Sequence, residues 1–237
     1  KTLGDILFDK KDSTGALTAY QAALTADPGI KGLYKKYAVL MMSRKGQEKE
    51  LLTVLSNAVK AGEADEEIYS TLGEIHQNNK AYPQAIEMYT KALQLKPQNF
   101  EALASLAFCQ EKAGKISDAI ISYEQAVAMS GTAVKEMKAL GDLYWQQNKK
   151  DQAVGAYKKY VEKAPTDAKT IRTIGDFEYD KKNYPEAVKY YGMVTGADSK
   201  TADFMLRYGD AVYQTNDLKK ATEIFKAIAA ANPKNPE

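Results

Sequence analysis

Apolar positions along this chain recur with the period of a helix. In residues 134–167, Met137, Leu140, Gly141 and Tyr144 are three and four apart, which puts them on one stripe. Ala153, Tyr157 and Tyr160 form a second stripe after a polar gap. Both stripes return every 34 residues. Aligning the apolar-Gly pair divides the chain into repeats 1–30, 31–65, 66–99, 100–133, 134–167, 168–201 and 202–235. The first is truncated, and the second has 35 residues.

Within a repeat, position 8 is always small: Gly4, Ala38, Gly73, Ala107, Gly141, Gly175, Gly209. Position 20 is Ala in six repeats, and position 24 is aromatic in the same six: Tyr20, Tyr89, Tyr123, Tyr157, Tyr191, Phe225. Six of the seven prolines occupy two phases, Pro28, Pro97, Pro165 and Pro233 in one, Pro83 and Pro185 in the other. Small residues at 8 and 20 let two helix backbones cross closely, with the aromatic beside them. Proline at position 18 suits the first turn of a second helix, where its missing N–H is not needed. Proline at position 32 ends that helix. Each repeat is therefore a helical hairpin with apolar residues on more than one face, and such hairpins must stack. The expectation is 14 helices in seven antiparallel pairs, without strands.

The 34-residue length and the residues at positions 8, 20, 24 and 32 together resemble the tetratricopeptide repeat family over nearly the whole chain. The resemblance implies an all-α fold, a right-handed superhelical α-solenoid of about seven hairpins forming a single repeat domain. First helices would line a concave groove and second helices the outer face. It also implies a protein or peptide as the bound partner.

Repeat 31–65 departs from the pattern. Leu51 and Leu55 replace the alanine and the aromatic after an insertion near Lys45-Gly46. This repeat is expected to differ most from the others. The ends read as cut: Lys1 falls inside a first helix, and Pro236 and Glu237 begin an eighth repeat. Uncapped ends would expose Ile224 and Ile228 and favour self-association.

Composition removes several classes of chemistry. The 44% apolar and 27% charged content excludes simple disorder. The net charge of +2 is too small for the whole chain to bind polyanions. One Cys and one His exclude a disulfide framework and a multi-histidine metal cluster. The longest uncharged run, Ser13–Ala26, is shorter than the ~18 residues of a membrane span. No phosphate loop, dinucleotide fingerprint or zinc-protease motif occurs. His76, at position 11, is expected in the hairpin core, and Cys109 is expected as a small buried hydrophobe. No catalytic residue, metal site or cofactor is assigned.

By the family resemblance, positions 2, 5, 9 and 12 face the groove. The last three repeats carry Gly-Asp-x-x-aromatic there, "GDLYW", "GDFEY" and "GDAVY". The candidate groove residues are Lys135, Lys138, Asp142, Trp145, Lys169, Arg172, Asp176, Tyr179, Arg207, Asp210 and Tyr213. Only three arginines occur among the basic residues, and two lie on or beside this face. Lys138–Asp142, Arg172–Asp176 and Arg207–Asp210 also have the spacing of ordinary helix-surface pairs. The aromatics lie off the core stripe, as binding aromatics do. The family's clamp for a C-terminal carboxylate needs Asn at position 9, where Asp142, Asp176 and Asp210 would repel such a group.

The function that follows is a non-catalytic protein-interaction scaffold that binds an extended, mixed-charge segment in its groove. Two other classes stay open: the regulatory or targeting arm of a larger enzyme or membrane-associated assembly, and an RNA-binding helical repeat. Acidic residues at position 9 oppose the last, because single-strand binders line their path with positive charge.

Overall fold

The computed structural model describes residues 3–42 and 47–231. Among them are fourteen α-helices and no strands. The Lys45-Gly46 insertion, Pro233 and the start of an eighth repeat lie outside the described residues. The chain folds as two compact units, 1–129 and 130–237.

The first unit contains α1 (Leu3–Asp9), α2 (Ser13–Ala26), α3 (Leu33–Met42), α4 (Glu48–Lys60), α5 (Glu66–Asn78), α6 (Tyr82–Leu95), α7 (Phe100–Lys112) and α8 (Ile116–Met129). The second contains α9 (Val134–Gln146), α10 (Lys150–Lys163), α11 (Ala168–Asp180), α12 (Tyr184–Met193), α13 (Ala202–Gln214) and α14 (Leu218–Ala231). Consecutive helices pair as hairpins, and each hairpin packs on the next within its unit. α5 also touches α7, and α11 touches α13, so first helices are neighbours on one face.

Helix starts follow capping chemistry. Asp65, Asn99 and Asp167 each accept the backbone N–H three residues on, opening α5, α7 and α11. Pro83 and Pro185 stand in the first turns of α6 and α12, as their phase predicted. The stop of each first helix was not legible beforehand. The N–H of Asp12, Ala81, Lys115, Lys149, Asn183 and Asp217 bonds the carbonyl five residues back, closing a Schellman-type turn. The residue before each of these is left-handed. It is Gly114 in one turn, but Lys11, Lys80, Asn148, Lys182 and Asn216 in the others, with φ between 58° and 64°. Five tight turns of one geometry thus place a lysine or asparagine where glycine carries no Cβ strain, at a cost of roughly 1 kcal/mol each for lysine.

The hairpins close on the contact that positions 8 and 24 suggested. A Cβ built on Gly141 would fall 2.4 Å from the Tyr157 ring, and one on Gly175 2.6 Å from the Tyr191 ring. Gly4–Tyr20, Gly73–Tyr89 and Gly209–Phe225 repeat the contact. Tyr157 and Tyr191 are buried, together with Ala153 and Ala187.

Two expectations, His76 and the exposed isoleucines of α14, need amendment, and the repeats vary in detail. His76 is half-buried rather than a core residue, and its backbone carbonyl serves the turn after α5. In repeat 31–65, α3 is described over Leu33–Met42. There Leu55 is fully buried in place of the aromatic, and Glu63 caps α3 through the N–H groups of Gly32 and Lys35. An unforeseen irregularity lies in the second unit. α12 has ten residues, against fourteen for α10 and α14, and ends at extended Val194 and left-handed Gly196. A short 3-10 turn, Asp198–Lys200, then leads into α13. Val194 is buried, so the lost turn is replaced by an apolar anchor. In α14, Ile224 and Ile228 are half-buried, Ile224 because it leans on Gly209, while Leu218 is exposed.

Two glycine substitutions separate space from flexibility. Gly141→Ala forces the Tyr157 ring to move and should destabilise the protein by about 1–3 kcal/mol. Gly155→Ala in α10, where a Cβ would meet nothing within 4 Å, should stabilise it by about 0.4–1 kcal/mol. Urea denaturation of both variants checks the opposite signs.

Candidate functional site

The candidate groove residues come from α9, α11 and α13, and all lie in the second unit. The helical period brings Lys138, Asp142 and Trp145 to one face of α9, and Arg172, Asp176 and Tyr179 to the corresponding face of α11. α13 adds Asp210 and Tyr213, with Leu206 one turn before Asp210. Leu206 is 51% exposed and Tyr213 55%. Leu206 was not among the expected residues, although it occupies position 5, where Lys138 and Arg172 stand in the preceding repeats.

The aspartates have a role that the spacing alone did not show. Tyr157 donates its hydroxyl to Asp142 at 2.7 Å, and Tyr191 donates to Asp176 at 2.7 Å. Tyr20 does the same to Asp5 at 2.8 Å. The ring that fills the space above the position 8 glycine therefore carries its hydroxyl to the carboxylate at position 9. Where position 9 is not Asp, the hydroxyl turns to position 12: Tyr89 to Gln77 and Tyr123 to Glu111, each at 3.1 Å. The last repeat has Phe225, which has no hydroxyl, and Asp210 is instead bound by Tyr179 of the preceding repeat. Burial, then the neighbouring carboxylate, pushes the Tyr20 phenol up to about 12. The Tyr179 phenol is pushed up to about 12 by its bond to Asp210 and then by burial.

The basic residues are also engaged, and two of the three helix-surface pairs are not the ones expected. Lys138 does not pair with Asp142. Its ammonium reaches Asp167 and the Thr170 hydroxyl, both at 2.8 Å, and lies over the Tyr160 ring. Arg207 bonds Asp180 at 3.2 Å and approaches Asp176 at 3.7 Å rather than pairing with Asp210. Its guanidinium also lies over the Tyr179 ring. Arg172 keeps the anticipated contact with Asp176, at 3.5 Å, and adds an ion pair to Asp203. Trp145 is half-buried and tilted against Tyr157, with Lys150 over its ring. Tyr179 meets Tyr184 edge-on. Lys135, Lys169 and Tyr213 are exposed.

The tightest of these groups centres on Asp167, the cap of α11. Partial burial by itself would raise its pKa. Hydrogen bonds from Lys138, from the N–H and hydroxyl of Thr170 and from Tyr160 overcome this and hold the carboxyl well below the usual carboxylate range.

Among the clefts of the first unit are two along its first helices. One, of about 610 Å³, lies between α1 and α3, with Phe8, Tyr20 and Val39 as apolar walls and Asp5 and Lys36 on its rim. The other, of about 380 Å³, lies along α5 and α7 and is lined by Glu66, Glu67, Glu74 and Glu101 among polar neighbours. Neither was expected, although the glutamates at position 2, Glu67 and Glu101, were a visible signal. Cys109 is fully buried, donates weakly to Gln77, and has its thiol pushed up to about 11 by burial, so it is poorly placed to form a thiolate. Among the described residues no cluster of metal-ligating side chains occurs, and no helix is long and apolar enough to cross a membrane.

The low pKa of Asp167 gives a pH signature. A carboxyl with a depressed folded pKa contributes stability above its unfolded value of about 3.9 and loses it as pH falls through the folded one. Asp167→Asn should therefore lower stability at pH 7 and flatten the acid limb of the stability curve below about pH 4. Thermal melts across pH 2–7 read this. In the same assay Tyr157→Phe, which keeps the ring and loses the bond to Asp142, should cost about 0.5–1.5 kcal/mol. Tyr157→Ala should cost about 3–5 kcal/mol.

Known proteins place this architecture. One family profile described as Tetratricopeptide repeat matches residues 110–168 and 172–236, more than half of the chain, and another with the same description matches 76–129. Superkiller complex protein 3 of Homo sapiens is 27% identical over 99 residues, 42% of this chain and 6% of that protein. Tetratricopeptide repeat protein 37 of Xenopus laevis is 27% identical over 105 residues, 44% of this chain and 7% of that protein. The chain thus spans a small fraction of the length of these curated relatives. Among solved structures, MamA shares 25% identity over 69% of this chain and 95% of its own, with a TM-score of 0.56. YrrB, described as a TPR protein with an unusual peptide-binding site, covers 88% of this chain and 98% of its own at 17% identity and a TM-score of 0.59, a likeness of fold alone. With its helical hairpins, its glycine–aromatic contacts and the profile matches, the chain belongs to the tetratricopeptide repeat family.

Proposed function

We propose that the chain is a non-catalytic scaffold that binds an extended segment of a partner protein along α9, α11 and α13. The fold class is one that serves protein–protein interaction. The observation that carries the groove reading is the exposed pair Leu206 and Tyr213, flanking Asp210 on the face that α13 shares with α11. Large apolar side chains held in water on a rigid helix offer flat area at low entropic cost.

The charges beside them set the kind of segment. Arg172 and Arg207 are held by Asp176, Asp180 and Asp203 through partly exposed ion pairs. Such pairs are worth about 0–1 kcal/mol each, so an incoming carboxylate or ammonium exchanges with them at little cost. A mixed-charge segment with apolar anchors fits better than a chain-end carboxylate or a nucleic acid.

Binding to a partner recovered from lysate and then purified tests the proposal. Tyr213→Ala should weaken it by ~2 kcal/mol, about thirtyfold, with the melting curve unchanged. Trp145→Ala should weaken binding as well but also lower stability, because the indole packs on Tyr157. Full affinity in both variants would move the binding surface to the second helices. Trp145 is the one tryptophan of the chain, so its fluorescence reports occupancy directly.

A further inference from the structure

Inside each unit, the second helix of one hairpin packs on the first helix of the next. This contact has a fixed register. The Tyr191 ring of α12 lies 5.3 Å from the Phe204 ring and 5.9 Å from the Tyr208 ring of α13. Position 24 of one repeat therefore meets positions 3 and 7 of the next. In the same way Ile86, Tyr89 and Leu93 of α6, at positions 21, 24 and 28, share a cluster with Leu106 and Cys109 of α7, at positions 7 and 10. The corresponding residues of α10, Val154, Tyr157 and Val161, are all buried.

Two faces of this kind are uncovered among the described residues. On α14, positions 21, 24 and 28 are Thr222, Phe225 and Ala229, and all three are exposed. Phe225 is 38% exposed, although the aromatic residue at position 24 is buried in the other five repeats that have one. On α1, positions 7 and 10 are Leu3 and Ile6, which are 65% and 42% exposed. Their counterparts on α9, Leu140 and Leu143, are buried, as are Leu106 and Cys109 on α7. Ile224 and Ile228 stand at positions 23 and 27, outside the α14 face.

The two faces are the two halves of one contact. A partner that covers Phe225 as α13 covers Tyr191 must be a helix with apolar residues at the spacing of positions 7 and 10, and α1 is such a helix. We infer that α14 of one copy of this chain docks on α1 of a second copy, in the register that α12 keeps on α13. Phe225 then rests on Leu3, and the small side chains of Thr222 and Ala229 leave room for Ile6. The contact joins the second unit of one copy to the first unit of the next. Because its two sides differ, it propagates into rings or open chains instead of closing a two-fold dimer.

Charge and length set its strength. Between α10 and α11 the internal contact adds ion pairs, Lys158 with Glu178 and Asp151 with Lys181. In the same register Lys226 faces Leu7 and Lys219 faces Lys10. Among the described residues α1 also has no counterpart of Phe204. The docked contact is therefore apolar, has like charges at its edge and is weaker than the internal one. Salt strengthens it by screening Lys219 from Lys10.

Sedimentation equilibrium of the 237-residue chain tests this. The weight-average mass should rise with concentration between about 10 µM and about 1 mM, and more steeply when NaCl is added. Leu3→Glu and Ala229→Glu should each weaken association about tenfold or more, because each would bury a carboxylate without a partner. Circular dichroism and melting should be retained, since both residues are exposed. Ile121→Glu makes the same change at an exposed apolar residue of α8 and should associate as the unaltered chain does. An equimolar mixture of Leu3→Glu and Ala229→Glu should form one-to-one pairs that do not grow, because each variant keeps one intact face. A monomer throughout the range would overturn the inference. So would an equal loss in Ile121→Glu, a mixture that stays monomeric, or association that falls with NaCl.

Discussion

Each regular hairpin rests on an aromatic ring seated against the backbone of the facing helix. With Tyr157 at Gly141 and Tyr191 at Gly175, the missing Cβ is the space that the ring occupies. The contact brings the two helices together, buries the ring and fixes its direction. It also decides where the hydroxyl goes. A tyrosine lying across position 8 projects its oxygen beyond the first helix, toward position 9 or 12. Asp142 and Asp176 receive it in the second unit, and Gln77 and Glu111 in the first. Packing thus supplies most of the hairpin energy, and the hydrogen bond satisfies a polar atom that packing has drawn inward.

This arrangement links core to groove. On the proposed binding face, Asp142 and Asp176 accept from the buried tyrosines Tyr157 and Tyr191, so they are held in place before any partner arrives, while Asp210 is held by Tyr179. Arg172 and Arg207 are held in turn by Asp203 and Asp180. Such a surface loses little side-chain freedom on binding, which favours affinity without large buried area. The cleft in the first unit has the opposite character. Its carboxylates at Glu67, Glu74 and Glu101 are exposed and form no ion pair among the described residues.

The irregular places share an outcome. Where the aromatic is replaced, as at Leu55, the small residue opposite is Ala38 and the capping passes to Glu63, which reaches back across the repeat. In repeat 168–201, α12 stops a turn early and Val194 fills the gap. Both keep the core closed by a different side chain, at the expense of the regular period.

Much of the architecture was determined by the amino-acid sequence alone. The 34-residue period, the small residues opposite Tyr157 and Tyr191, and the phase of Pro83 and Pro185 specify paired helices, because each is a local demand of helix geometry or of close backbone approach. Which residues share a face was legible for the same reason: helical period puts Lys138, Asp142 and Trp145 on one side. Their partners were not. Lys138 binds Asp167 and Arg207 binds Asp180, residues 29 and 27 positions away, and Tyr179 reaches Asp210 across to the next hairpin. The early end of α12 was not legible either, because buried Val194 closes the gap it leaves. Local propensity acts over one helical turn, whereas these contacts join residues that meet only when neighbouring helices are already packed.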